Sequence, residues 1–268
     1  MNSPESIKIQ YKTADNLTAR ISLHENYSVN KQGFVNWLFS LYRIPPNSAI
    51  LELGCGSGNM WKNKLDLLNN GSRLLLTDIS EGMVAAAMKT LGENKNLSFE
   101  RADIENLPYK SGSFDIVIAN MMLYHVPDLD KGLNEVSRVL SDKGRFYCAT
   151  FGENGIMPHI SVLLKEYGAK DGTNKNFTLQ NGYDILKKHF TEVKRFDYED
   201  RLEVTDIEDV IYYISSLESM SSVLEIDRKI IKNVLEKNTV NGILTLPKEY
   251  GTFVCKKQTV PSKESKGE

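Results

Sequence analysis

The chain has 268 residues, of which 41% are hydrophobic and 25% are charged, a composition typical of a globular protein with a sizeable core. Its 33 basic and 35 acidic residues give a net charge of −2, which argues against a nucleic-acid partner held by phosphate neutralisation. The three cysteines are far apart and form no Cys-x-x-Cys motif, so neither a zinc cluster nor a disulfide framework is predicted. Because no apolar run resembles a signal peptide or a membrane span, we expect a cytoplasmic protein without a membrane partner.

Short apolar runs alternate with helical patterns from about residue 34 to residue 150. A first helical pattern starts at Phe34 and stops before Pro45 and Pro46, which no helix crosses easily. The strands predicted after it are AILEL (49–53), RLLLTD (73–78), LSFERA (97–102), FDIVIAN (114–120) and RFYCATF (145–151). This alternation, with nearly continuous apolar strands, predicts a doubly wound α/β core whose parallel sheet is covered on both faces.

Helices are predicted between these strands, at 58–69, 80–91 and 129–140. Ser80 is expected to cap the second helix and Asp128 the third, because short oxygen-bearing side chains accept hydrogen bonds from free amides at a helix start. Gly144 is expected to lie just past the end of the third helix, where glycine commonly stops a helix.

The pattern loosens after Phe151. Further helices are predicted near 158–167, 180–189, 206–217 and 227–237, and further strands at 193–204 and 251–257. The segment 202–245 reads as a helical insertion between two late strands, of the kind that covers a ligand crevice as a lid. We therefore divide the chain into an N-terminal helical segment (1–48), a ligand-binding core (49–151), the rest of the sheet with its lid insertion (152–257) and a disordered tail (258–268).

Three glycines follow the first predicted strand on alternating positions, Gly54, Gly56 and Gly58. In a βα unit this loop lies where nucleotide-like ligands bind, and glycines let the backbone amides approach the ligand closely. The dinucleotide fingerprint GxGxxG would need its third glycine where Asn59 stands, so the spacing here is GxGxG. Glu52 adds an acid inside the end of the strand, which suits a cation-bearing ligand better than a pyrophosphate.

The run Glu52-x-Gly54-x-Gly56-x-Gly58 resembles motif I of the class I S-adenosylmethionine-dependent methyltransferases. The stretch 107–146 is similar to the small-molecule branch that includes the ubiquinone and menaquinone biosynthesis methyltransferases. The resemblance is close from about residue 49 to residue 151 and weak beyond. It implies a Rossmann-like, mostly parallel, seven-stranded sheet and S-adenosylmethionine as the cofactor.

The resemblance also implies cofactor contacts outside the loop. Asp78, at the end of the second strand, would accept hydrogen bonds from both ribose hydroxyls. Asp103 would bind the adenine amino group and the amide of Ile104 would reach the ring, while the carbonyl of Asn120 would lie near the ligand's amino group. An aromatic residue before the first strand, Tyr27, would cover the methionine moiety. The cofactor-binding set is completed by Cys55, Ile79 and Met83.

Methyl transfer from a sulfonium needs an aligned nucleophile in a dry pocket, and a base only where the acceptor must lose a proton. Tyr124 and His125, just after the fourth strand, are the candidates for catalysis or substrate contact, with a packing role as the alternative for His125. No metal site is predicted. We expect transfer to the O, N or C of a small-molecule acceptor by a monomer or homodimer.

Three other functions remain as alternatives. A tRNA or protein methyltransferase is disfavoured by the balanced charge and because Asn120 is followed by Met121 and Met122 where an Asn-Pro-Pro-Tyr-type motif would stand. A non-catalytic S-adenosylmethionine-binding module would be favoured by a damaged loop, and the loop is intact. A nicotinamide-dependent dehydrogenase is disfavoured by the GxGxG spacing.

Overall fold

The structure is a computed structural model that describes residues 14–257. The first part of the predicted N-terminal segment and the whole predicted tail lie outside the described residues. Within them the helices are α1 (Ala14–Tyr27), α2 (Phe34–Leu41), α3 (Glu81–Leu91), α4 (Leu129–Val139), α5 (Ile156–Leu163), α6 (Gly182–Leu186), α7 (Ile207–Ser215), α8 (Ser221–Leu224) and α9 (Arg228–Lys237). The strands are β1 (Ala49–Leu53), β2 (Arg73–Asp78), β3 (Leu97–Arg101), β4 (Phe114–Asn120), β5 (Leu140–Phe151), β6 (Phe190–Val204) and β7 (Leu244–Lys257).

The seven strands form one sheet in the order β3-β2-β1-β4-β5-β7-β6. β1 pairs in parallel with β2 on one side and β4 on the other, and β2–β3 and β4–β5 are also parallel. The order reverses direction at β1, so the carboxyl ends of β1 and β4 border the switch point, where α/β sheets bind ligands. β1 and β4 are almost wholly buried, which explains their continuous apolar runs. The predicted doubly wound α/β fold is confirmed.

Several predicted elements differ from the structure, among them β5, which begins at Leu140 instead of residue 145. The helix expected at 58–69 is replaced by two short 3₁₀ turns, Asn59–Trp61 and Leu65–Leu68. The chain turns there because Gly58 takes a left-handed conformation (φ 74°) and the indole of Trp61 is buried against Glu52. Gly144 does not end a helix: α4 stops at Val139, and Gly144 lies inside β5, which starts at once.

The last strand also differs, since β7 begins at Leu244 instead of residue 251. The reason is that Leu244, Leu246 and Lys248 are buried on alternating positions and extend the sheet toward the N-terminal end of the strand. The helices α7, α8 and α9 occupy the predicted insertion between β6 and β7. Its role as a lid stays a prediction.

Two compact units make up the described chain. The first unit comprises 14–42, 150–180 and 197–252, and the second unit comprises 43–149, 181–196 and 253–257. α7 contributes more buried residues to the core of the first unit than any other element, Ile214 among them, and β6 and α9 add residues such as Leu202 and Leu235. The predicted division into four segments stays a prediction. No helix among residues 14–257 has the length and apolarity that spanning a bilayer would require.

Candidate functional site

The glycine loop of the second unit runs from the carboxyl end of β1 and has left-handed backbone at all three glycines. Gly54, Gly56 and Gly58 have φ angles of 66°, 54° and 74°, which side chains with a Cβ rarely adopt. A Cβ at Gly54 would lie 2.9 Å from the Cβ of Met122, whereas a Cβ at Gly56 would meet no atom within 4 Å. Gly54 is therefore required for packing, while Gly56 exposes bare backbone to open space.

Glu52 is buried at the end of β1 with only 2% of its surface exposed. Its carboxylate accepts a hydrogen bond from Nε1 of Trp61, and its backbone carbonyl accepts one from Oγ1 of Thr77 (2.8 Å). Burial raises the pKa of Glu52 to about 7; the Trp61 hydrogen bond opposes this rise and the nearby negative charge of Asp78 adds to it. A buried carboxyl group at the edge of an open loop is thus poised to respond to a cationic ligand.

Asp78 ends β2 and ties the loop to the neighbouring strand. Its Oδ2 accepts a hydrogen bond from the amide of Gly56 (3.0 Å) and its Oδ1 accepts one from the amide of Ser80 (2.9 Å). Burial raises the pKa of Asp78, and these backbone hydrogen bonds oppose the rise. Each carboxylate oxygen retains a second lone pair, so hydrogen bonds to a diol remain chemically available.

Asp103 lies in the loop after β3, the strand beside β2, and its carboxylate is exposed. Its Oδ1 accepts a hydrogen bond from the amide of Glu105 (2.9 Å), while Ile104 is buried. α4 holds the same loop: Nη2 of Arg138 donates to the carbonyl of Leu107 (2.9 Å). Glu52, Asp78 and Asp103 therefore lie at or just after the carboxyl ends of three adjacent strands.

The carboxyl end of β4 supplies the remaining predicted residues. Asn120 is buried, with its amide 3.6 Å from the sulfur of Met60. Met121 has a left-handed backbone (φ 55°), which is uncommon for a side chain of this size and often marks a functional site. Tyr124 and His125 follow in a 3₁₀ turn, half-buried, with ring centroids 4.4 Å apart.

Three further predicted residues lie around the loop. Cys55 follows Gly54, and burial raises the pKa of its thiol, with the charges of Glu52 and Asp78 adding to the rise; the thiol is therefore protonated at neutral pH. Ile79 is 46% exposed after β2, and Met83 is half-buried in the first turn of α3. Met122 also borders the loop, since its side chain packs against Gly54, but it lacked any motif that would have singled it out.

Tyr27 lies in the first unit, at the end of α1. Its hydroxyl donates a hydrogen bond to Oδ2 of Asp209 (2.6 Å), and this bond raises the pKa of the phenol. The structure thus gives Tyr27 a carboxylate partner within its own unit, and its role over the cofactor stays a prediction.

The first unit also contains a buried polar group that the sequence did not indicate. The ammonium of Lys248 lies 2.8 Å from Oδ2 of Asp200, and the two side chains are 3% and 0% exposed. Asp200 also accepts hydrogen bonds from the hydroxyl of Ser28 and the amide of Asn30 (3.0 Å). In the sequence these residues look like ordinary surface positions, because no local pattern links Ser28 to Lys248.

Comparison with known proteins adds a family assignment to this geometry. Residues 51–148, from β1 to β5, match the model of a family described as a methyltransferase domain. This segment is similar to the methyltransferase domain of that family. It contains the glycine loop, Asp78, Asp103 and Asn120, so the predicted cofactor residues other than Tyr27 all lie in the matched range.

Curated relatives of the matched segment are named ubiquinone/menaquinone biosynthesis C-methyltransferase UbiE. The protein of Rickettsia massiliae is 39% identical over 114 residues, 40% of this chain and 46% of the relative. That of Rickettsia akari is 40% identical over 119 residues, 41% of this chain and 48% of the relative. The matched segment therefore spans about half the length of these relatives, and the resemblance predicted from motif I is confirmed there.

Solved structures extend the likeness of fold over more of the chain. The YcgJ protein of Bacillus subtilis has a TM-score of 0.56 and 16% identity, covering 84% of this chain and 98% of that one. Phosphoethanolamine N-methyltransferase 2 of Haemonchus contortus, solved with S-adenosylhomocysteine, has a TM-score of 0.58 and 15% identity, covering 96% of this chain and 60% of that one. At these identities the likeness concerns the fold alone.

Proposed function

We propose that this protein transfers a methyl group from S-adenosylmethionine to a small-molecule acceptor. The observation that carries the proposal is the bare, left-handed backbone of the glycine loop beside a buried acid, within the segment that is similar to a methyltransferase domain. The curated relatives are named as C-methyltransferases of ubiquinone and menaquinone biosynthesis, which favours a small molecule over a macromolecule as acceptor.

The residues of the second unit suit this cofactor chemically. Gly56 leaves open space at the loop, so that backbone amides can approach a ligand without side-chain interference. Asp78 would accept hydrogen bonds from the ribose hydroxyls and Asp103 from the adenine amino group. Glu52 and Asp78 place negative charge beside a ligand that carries a sulfonium and an ammonium.

When bound, the cofactor supplies an electrophilic methyl group, so the protein mainly has to hold an acceptor atom in line and exclude water. Tyr124 and His125 follow the strand end that borders the switch point, and we propose that one of them contacts the acceptor. We further propose a cytoplasmic location and a monomer or homodimer, as the sequence predicted.

Calorimetric titration with S-adenosylhomocysteine tests the proposal. We expect one saturable site per chain, and its loss when Asp78 is changed to Ala. A matched control is Asp66→Ala, since Asp66 lies in the second 3₁₀ turn and its side chain accepts a hydrogen bond from the amide group of Asn69. A folded wild-type protein that binds neither S-adenosylhomocysteine nor S-adenosylmethionine at ~1 mM would refute the proposal. A specific cofactor site is expected to have a dissociation constant well below this concentration.

A further inference from the structure

A cleft with a volume of about 640 Å³ lies on the first unit. Its lining residues come from the turn after β5, from α5 and from the segment 165–171, so the whole cleft belongs to one continuous stretch of chain. Pockets that bind small molecules have volumes of about 300–1,000 Å³. The cleft is therefore large enough for a small-molecule ligand.

Both sides of the cleft are anchored to the first unit. Ile160 of α5 and Leu164 just after it are fully buried in the core of that unit. On the other side, the backbone of Lys170 is held at two points: its amide donates to Oγ of Ser222 (3.0 Å), and its carbonyl accepts from Oγ of Ser161 (3.3 Å). The cleft is thus preformed, as ligand pockets usually are.

The two acids of the cleft already have partners in the protein. Nζ of Lys175 lies 3.0 Å from Oδ2 of Asp171 and 3.6 Å from Oε2 of Glu153. The other oxygen of Glu153 accepts a hydrogen bond from the hydroxyl of Thr178 (2.9 Å), and that of Asp171 accepts one from the amide of Thr173 (3.0 Å). Because both carboxylates are engaged in this way, they do not call for a cationic ligand.

Two lysines of the cleft have no such partner. Among the side chains that the structure describes, none forms an ion pair or a hydrogen bond with the ammonium of Lys165 or of Lys170. With Lys175 included, three cations stand against the two anions Glu153 and Asp171. The charge that is left over favours an anion in the cleft.

The rest of the lining combines a neutral imidazole with apolar groups. Burial lowers the pKa of His159, so the ring is uncharged at neutral pH and one of its nitrogens carries a proton that it can donate. Pro158 and Val162 lie one turn apart on α5, and Val162 is 70% exposed. Apolar groups beside unpaired ammonium groups suit a ligand that has both an apolar body and an acidic head group.

We propose that this cleft is a binding site for a small organic anion, in which an acidic head group is joined to an apolar body. Lys165 and Lys170 attract the head group, and Pro158 and Val162 contact the apolar body. The site lies wholly in the first unit and does not depend on the proposed methyl transfer.

The probe for the test is 8-anilino-1-naphthalenesulfonate, an anion with an apolar ring system whose fluorescence rises when it leaves water. We expect saturable binding to the full-length protein. Lys165→Gln and Lys170→Gln should each weaken it about 3-fold, and the two together about 10-fold, because each removes one charge at an exposed site. The matched control is Lys229→Gln in α9, which removes the same charge from an exposed position of the first unit and should leave the affinity unchanged.

A second pair of variants tests the apolar side of the cleft. Val162→Asp should weaken probe binding about 10-fold or more, because it replaces an apolar contact by a like charge. Val240→Asp is the matched control, since Val240 lies in the first unit and is 73% exposed. Both positions face solvent, so both variants should keep the melting temperature of the wild type within a few degrees.

Ligands without a charge test the need for the acidic head group. N-phenyl-1-naphthylamine has the ring system of the probe without its sulfonate, and it should bind about 10-fold more weakly. Octanoate should displace the probe, whereas 1-octanol should not.

Four results would overturn the inference. The first is the absence of saturable probe binding. The second is equal affinity of the double lysine variant and Lys229→Gln, and the third is equal affinity of Val162→Asp and Val240→Asp. The fourth is binding of the uncharged ligands as tight as that of the anions. S-adenosylhomocysteine titrations of the same preparations should give wild-type affinity throughout.

Discussion

At the scale of single residues, the glycine loop depends on a carboxyl group and a bare backbone position. Glu52 is enclosed by protein, and its carboxylate accepts a hydrogen bond from the indole N–H of Trp61. Gly56 combines a φ of 54° with open space where a side chain would lie. Glu52 sets the charge beside the loop, and Gly56 sets the space next to its backbone. Substitution of Glu52 should therefore change the pH dependence of stability, and substitution of Gly56 should change ligand affinity.

Glu52→Gln should change how stability depends on pH. Because the pKa of Glu52 in the folded protein is about 7, above its usual 4.5, the folded state holds the proton more tightly than the unfolded state. This contribution to stability is complete below pH ~4.5 and is lost as the pH rises to ~7. We therefore expect the free energy of unfolding of the variant, relative to that of the wild type, to rise by about 2–3 kcal/mol between pH 4.5 and pH 8. Urea unfolding at each pH measures it. Parallel pH profiles would contradict the assignment.

Gly56→Ala should reduce cofactor affinity far more than a comparable substitution elsewhere. Gly168, in the first unit, also has a left-handed backbone (φ 98°, ψ 4°), and a methyl group there would meet no atom within 4 Å, so Gly168→Ala is the matched control. Both variants should lose about 1–2 kcal/mol of stability from backbone strain. Only Gly56→Ala should weaken S-adenosylhomocysteine binding, by about 10-fold or more in calorimetry, because the methyl group meets the ligand.

At the scale of elements, α4 holds the loop that carries Asp103. Arg138 donates to the carbonyls of Tyr109 (2.6 Å) and Leu107 (2.9 Å), and Glu135 accepts from the amide of Leu107 (2.9 Å). The hydrogen bond to Glu135 raises the pKa of Arg138, so the guanidinium stays charged. The helix therefore holds the loop that carries Asp103, the acid proposed to bind adenine.

Arg138→Met should weaken S-adenosylhomocysteine binding about 3- to 10-fold, because two carbonyls of the loop lose the hydrogen bonds that the charged guanidinium donates to them. Arg228→Met is the matched control: Arg228 forms an exposed ion pair with Glu208 in the first unit. Equal affinities of the two variants in calorimetry would show that α4 does not position Asp103.

At the scale of the whole molecule, each compact unit is stabilised by its own set of buried side chains. In the second unit it is the apolar interior of the sheet, with β1 and β4 enclosed on both faces. The first unit adds the buried pair of Lys248 and Asp200 to its apolar core. Removing one partner of such a pair leaves an uncompensated charge in a poorly polarisable interior.

Lys248→Met should therefore lower the free energy of unfolding of the first unit by about 3–5 kcal/mol. Unfolding is monitored by the fluorescence of Trp37, in protein that also carries Trp61→Phe. Lys232→Met, which removes a half-exposed partner of Glu208, should cost at most about 1 kcal/mol. Adding Asp200→Asn to Lys248→Met should restore part of the stability, because neither charge then remains unpaired. A double variant less stable than Lys248→Met would contradict this account.

The sequence by itself determined the central strands of the sheet and the glycine loop. Buried parallel strands are continuous apolar runs, so β1, β2 and β4 were predicted with their observed bounds, and the alternating glycines were recognisable from spacing alone. The signal is local in each case, and it needs no knowledge of distant residues.

Only the tertiary structure decided the turn at Trp61, the early start of β7 and the polar group around Lys248. The turn follows from burial of Trp61 against Glu52, nine residues away. The helical spacing of apolar residues over 58–69 does not indicate this contact. Ser28 and Lys248 are 220 residues apart. A charged or polar side chain looks solvent-exposed in the sequence until its partner is known, because its burial depends on a charge or hydrogen bond that the fold brings to it.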